Sequence, residues 1–228
     1  MKPKLETLVV EIRYDQGWLY WDRCGAIWRE LQKQCEDLEM VEITTSEAKF
    51  LSKEIPGQVN FNYQRAYVQL DLAGVHQPKL DVFDDFLPVI TTTLDLDAVT
   101  RVGCRGIWIA MGPLENALAV FRRTSLVASD PVSTDPDLEV KAITTSFHAE
   151  DDKIGSRITL KSFTRTLTIS APPGVAIRDD FSGTGLSIDI DRFIPHSIRV
   201  EQLKFSDFAK ACLKRAKHVL SERLGCEA

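Results

Sequence analysis

Two aspartates, Asp189 and Asp191, alternate with Leu186, Ile188 and Ile190 in the run Leu186-Ser187-Ile188-Asp189-Ile190-Asp191. On an extended strand residues i and i+2 share a face, so both carboxylates can reach one divalent cation. Asp179 and Asp180 just upstream offer further oxygen ligands. The chemistry such a set serves is metal-dependent attack on a phosphodiester or nucleotide. The plainer reading is the wet face of a half-exposed strand, with Arg192 and nearby lysines as counterions. A nuclease would also call for a Lys or Glu in a PD…ExK-like spacing, and the chain has none.

A second pair is basic. Arg101 and Arg105 share a strand face across Gly103, which leaves room above the backbone. Two guanidinium groups so placed can hold a phosphate or carboxylate by charge-assisted hydrogen bonds. The alternative is cross-strand pairing with acidic neighbours, and an Arg105 both paired and closed to solvent would exclude the anion site. Elsewhere the chemistry is thin. His76, His148, His196 and His218 lie at no metal-binding spacing, though His148 beside Glu150 has the form of a general base. There is no GxSxG, Walker A or GxGxxG, and Ser182-Gly183-Thr184-Gly185 reads as a turn, so no cofactor is expected. Cys24, Cys35 and Cys212 fall on apolar helix faces as core residues, and Cys226 in the tail is expected to be exposed.

Trp18, Trp21 and Trp28 sit together in a single amphipathic segment, residues 18–38. Trp21, Cys24, Ile27, Trp28, Leu31, Cys35 and Leu38 form its apolar arc. That arc predicts a helix packed on a sheet; the excess of tryptophan also fits a ridge at a subunit or partner interface. Strands with period two are expected at 9–14, 40–44, 59–72 and 98–111, and helices at 80–94 and 114–122. Pro88 predicts a kink or break. Phe61 and Tyr63, the exposed-aromatic candidates for RNA, read better as core. Ser, Asp and Pro mark residues 129–137 as a boundary. Beyond it the pattern is mainly β: a hairpin over 139–150 and 154–163, strands at 165–170 and 186–191, and a loop at 179–185. A closing helix spans 207–224, with Ser206 as N-cap, Gly225 after its C-terminus, and Lys210, Lys214 and Lys217 on its polar face. The expected fold is α+β: mostly antiparallel sheet with helices on one face, in two α+β halves. The division is 1–128, a linker at 129–138, and 139–228. No residue-level repeat relates the halves.

Taken together, residues 9–14, the arginine-bearing strand 101–109 and Leu186-Ser187-Ile188-Asp189-Ile190-Asp191 with its terminal helix resemble a sporadically distributed family of uncharacterised bacterial proteins of similar length. The resemblance spans most of the chain and implies a bacterial, cytoplasmic origin and no particular reaction. Composition fits a folded chain: 228 residues, 44% hydrophobic, 27% charged, formal charge −5. Five cysteines without a CxxC fit reduced thiols. No signal peptide or apolar span is visible, and the mild acidity argues against nucleic acid as a partner. The expected function is therefore a non-enzymatic interaction or assembly module, with a protein partner or self-association. The alternatives are a metal enzyme at Asp189 and Asp191 and a small anionic ligand at Arg101 and Arg105.

Overall fold

Period-two alternation builds the centre of the sheet. In β1 (Lys4–Arg13) Leu8, Val10 and Ile12 are fully buried. In β7 (Arg101–Met111) Val102, Cys104, Gly106, Trp108 and Ala110 point the same way. The two strands pair antiparallel, so Val9, Glu11 and Arg13 share the opposite face with Arg101, Gly103 and Arg105. The computed structural model describes residues 1–15, 17–52, 57–73, 77–123, 143–167 and 181–227. The boundary segment 129–138, Asp179, Asp180 and His76 lie outside them.

Among the described residues there are four α-helices and eleven strands. Nine strands form one antiparallel sheet. On one side of β1 lie β5 (Arg65–Asp71), β4 (Gly57–Phe61), β3 (Ala48–Ser52) and the edge strand β2 (Glu39–Ile43). On the far side of β7 lie β10 (Phe181–Ile194), β9 (Gly155–Leu167) and β8 (Thr144–Glu150). A two-stranded ladder joins β6 (Ala98–Val99) to β11 (Ile198–Arg199). The sheet therefore runs on through the two halves, since β7 pairs with β10.

The connectivity repeats. From β1 the chain passes through α1 (Tyr20–Gln34), then β2, β3, β4 and β5 return from the edge to the centre, and α2 (Val82–Thr93) follows. From β7 it passes through α3 (Leu114–Arg123), then β8, β9 and β10 return in the same way, and α4 (Phe205–His218) follows. The antiparallel β1–β7 pair makes the two units face each other as a two-fold axis would. The repeat lies in the architecture and begins at β7, not at the Ser/Asp/Pro-rich segment.

The helices cover one sheet face in two apolar clusters. Tyr20, Cys24, Ile27 and Leu31 of α1 and Val82, Phe83, Phe86, Leu87 and Ile90 of α2 belong to the first. Phe121 of α3 belongs to the second, with Trp108, Leu186 and Ile188. Helix α4 bridges them, giving Phe205, Ala209 and Cys212 to one and Ala216 to the other, and a π-helical turn, Val219–Arg223, extends it with Leu220. No described helix is long and apolar enough to cross a membrane.

Several local expectations change. Helix α2 continues through Pro88, because apolar side chains buried on both sides of it outweigh one lost hydrogen bond. The end of the 154–163 strand and residues 165–167 form one strand, β9, and Gly183 and Gly185 lie inside β10 instead of in a turn. A Cβ at Gly185 would sit 2.7 Å from the Ala110 carbonyl oxygen and 2.8 Å from the Phe163 ring, so glycine serves close approach there. Ser206 is inside α4; its N–H is capped by Asp84 Oδ1 of α2 at 3.1 Å. Gly225 does turn the chain, at φ +61°, and the turn folds Cys226 inward, where it is buried.

Candidate functional site

With every described helix on one side, no described element covers the other face of the sheet, and it carries both acidic and basic candidates. Asp191 of β10 stands opposite Arg105 of β7 in register, and the ion pairs run diagonally across the two strands, Arg105 to Asp189 and Arg101 to Asp191. Each strand supplies the other's counterions. Arg105 Nε donates to Asp189 Oδ1 at 2.9 Å and Oδ2 at 3.1 Å, while Nη2 donates to Oδ2 as well. Arg101 Nη2 donates to Asp191 Oδ2 at 2.9 Å, and its Nη1 lies 3.5 Å from Glu11 Oε1 of β1.

The reach of Arg101 is set by three neighbours. Register places Phe193 of β10 opposite Gly103 on one side and Gly155 of β9 on the other. The Phe193 ring lies over Gly155 in the space a side chain would fill, and the Arg101 guanidinium stacks on that ring 4.1 Å from its centroid. Gly103 lies between them: a methyl group there would make ordinary van der Waals contact with Asp191 Oδ1, Phe193 and Arg101 at 3.5–3.8 Å, beside the path by which the guanidinium reaches Asp191. Such a stack contributes about 0.5–2 kcal/mol, depending on desolvation.

Electrostatically the network is half-buried. The side chains of Arg101, Asp191, Glu11 and Asp189 are 20–23% exposed, whereas Arg105 is 52% exposed. Burial holds the Asp191 carboxyl above its usual range, despite the pull of Arg101 and Arg105. Glu11 is shared by Arg13 at 2.8 Å, Arg101 at 3.5 Å and Arg65 of β5 at 3.8 Å. Arg105 is thus paired yet open to solvent, which meets only half of the condition that would exclude an anion site. A cation at Asp189 and Asp191 would have to displace two guanidinium groups, and no three His, Cys, Asp or Glu side chains among the described residues gather as a metal site. His148 Nε2 lies 3.1 Å from Glu150 Oε2.

Sequence reasoning missed part of this face. Arg157 of β9 stands between Asp191 and His148 in register, and Tyr67 of β5 lies opposite Glu11. Alternation gave the face of each strand; only the strand order shows that they meet. Together these residues line an open groove of about 800 Å³.

The tryptophans lie elsewhere. Trp18 is 75% and Trp21 56% exposed, so Trp21 leaves the apolar arc and Tyr20 takes its place on the sheet. Residues 20, 24, 27 and 31 form the narrow i, i+4, i+7, i+11 stripe, with Trp21 about 100° to its side. Trp28, at the flank, is half-buried and stacks on Phe50 at 5.1 Å. The Tyr20 hydroxyl donates to the Thr44 carbonyl at 2.8 Å, fixing the start of α1 beside the end of β2. A Cβ at Gly17 would meet the Tyr63 carbonyl oxygen at 2.5 Å, so the β4–β5 turn packs there too. Tyr63 is half-exposed, contrary to its reading as core. Six of the eight exposed large apolar side chains among the described residues lie at the start of α1, on β2 or in the β4–β5 turn: Trp18, Trp21, Met40, Val41, Ile43 and Tyr63. Leu51 of β3 alternates with Phe50 and projects from the opposite sheet face. In quenching experiments on the isolated chain, Trp18→Phe with Trp21→Phe should remove most of the iodide-accessible fluorescence. Trp108, 4% exposed, should stay protected.

Compared with family models, with curated proteins and with solved structures, the chain matches none.

Proposed function

We propose that this protein is a cytoplasmic interaction or assembly module that binds a protein partner, another copy of itself included, through the aromatic corner around the start of α1 and edge strand β2. The observation that carries the reading is that six exposed apolar side chains, two of them tryptophans, lie at the start of α1, on edge strand β2 and in the β4–β5 turn. Contiguous exposed apolar surface is costly in water and marks interaction sites more often than chance. The adjoining edge strand strengthens it. All five residues of β2 are exposed, no described strand pairs with its outer edge, and Met40, Val41 and Ile43 outnumber its two glutamates. Such an edge pairs with another strand unless something covers it.

The test is the native mass of the protein purified under reducing conditions, alone and with Trp18→Ser and Trp21→Ser combined. The expected result is a defined oligomer or stoichiometric complex with the natural chain and a monomer with the double variant. A partnerless monomer at micromolar concentration, or a complex indifferent to the two substitutions, overturns the reading.

A further inference from the structure

The sheet face that no described element covers carries a different kind of site, independent of the aromatic residues at the start of α1. Among the residues that line its groove are five arginines against four carboxylates, Glu11, Glu150, Asp189 and Asp191. The carboxylates are already engaged: Asp189 by Arg105, Asp191 by Arg101, Glu11 by three arginines and Glu150 by His148. Arg157 is exposed and has no hydrogen-bond or ion-pair partner among the described residues. A chain with net charge −5 thus concentrates unspent positive charge at one concave place. Arg105 is fixed on the other side of Asp191 in the same lateral row, and its Nη1 takes no part in the pairing with Asp189.

We infer that Arg157 and Arg105 hold the phosphate of a small, hydroxyl-bearing organic phosphate, a sugar phosphate or a mononucleotide, in this groove. Guanidinium groups suit phosphate because their planar donors match its oxygens in pairs. The carboxylates between and beside them exclude a site built for anions alone; Asp191 and Asp189 are acceptors for the hydroxyl groups of the same ligand. A volume of about 800 Å³ lies within the range of small-molecule sites. An excess of one arginine over the carboxylates is matched to a single phosphate, and gives little to a polyanion whose affinity grows with every phosphate neutralised.

The experiment is calorimetry and thermal shift of the full chain with three probes at matched ionic strength: inorganic phosphate, ribose 5-phosphate and AMP. Millimolar ribose 5-phosphate or AMP should raise the melting temperature and bind more tightly than inorganic phosphate. Arg157→Gln, at an exposed position without partners, should weaken that binding about tenfold, as expected for one charge-assisted contact. Arg105→Gln should do the same. No shift with either organic phosphate overturns the inference. So does binding unaffected by both substitutions, or inorganic phosphate binding as tightly as ribose 5-phosphate. A single-stranded oligonucleotide that outcompetes AMP at equal phosphate concentration also overturns it.

Discussion

Replacing Arg101 with methionine is expected to cost about 3 kcal/mol of folding stability at neutral pH, the scale for breaking a largely buried ion pair from one side. Asp191 would lose its 2.9 Å partner, while Arg105 stays with Asp189. Methionine keeps much of the contact with the Phe193 ring, so the loss reports mainly on the stranded carboxylate. The cost must depend on pH with a definite sign. Burial already raises the Asp191 carboxyl above its usual range, and removing a cation raises it further. The folded state then takes up a proton more readily than the unfolded one. The stability contributed by that proton is present below the ordinary carboxylate range and is lost as the pH rises through the folded-state value. Urea titrations should therefore show Arg101→Met to be milder near pH 4.5 than at pH 7. Adding Asp191→Asn should recover most of the loss. Asp191→Asn alone should cost about 1 kcal/mol or less, since Arg101 retains Glu11 at 3.5 Å. A pH-independent cost below about 0.5 kcal/mol for Arg101→Met would mean that the pair behaves as a solvated surface bridge.

That ion pair also marks how far the sequence could be read. The arginines and the aspartates each declare their strand face by alternation, because a half-covered antiparallel strand repeats every two residues. Cross-strand pairing with acidic neighbours was foreseeable; the identity of those neighbours was not. Arg105 and Asp189 are 84 residues apart, and their meeting depends on strand order and register, to which no local pattern is sensitive. The same limit hides Arg157, Tyr67 and Phe193, which are ordinary strand residues until β5, β1, β7, β10 and β9 are laid side by side. Local signals failed differently. Gly183 and Gly185 look like a turn because glycine has two uses, and the packed neighbours of Gly185 decide for the second. Trp21 looked buried because tryptophan is apolar, yet the stripe that meets the sheet is narrow and holds only Tyr20, Cys24, Ile27 and Leu31. Ser206 looked like a cap, but the group that satisfies its N–H comes from Asp84, 122 residues earlier. The helix faces of α2 and α4 were legible throughout, since their apolar periodicity is long enough to outweigh a single proline or a misplaced cap.

Gly155→Val tests the floor of the groove, and its sign should reverse with the residue beside it. In the natural chain the Phe193 ring occupies the place where a side chain at 155 would stand, with its Cδ2 2.9 Å from the added Cβ. Moving the ring means disturbing its neighbours: the Arg101 guanidinium covers it at 4.1 Å and the His148 ring lies 6.1 Å away. Valine should therefore cost about 2–3 kcal/mol through overpacking and loss of the stacked arginine. With Phe193→Ala in place the obstacle is gone, and the ordinary preference for a β-branched residue over glycine in a strand takes over. Gly155→Val should then be stabilising, by about 0.5–1 kcal/mol. The difference between the two backgrounds, read by denaturant unfolding, is the coupling between the residues, and it should exceed about 2 kcal/mol. Equal costs in both backgrounds would mean that glycine is required by the backbone at 155, with the ring a bystander. A sign reversal would instead assign Gly155 to Phe193, and through Phe193 to the position of Arg101 over the sheet. That position keeps Asp191 engaged and leaves Arg157 without a carboxylate of its own.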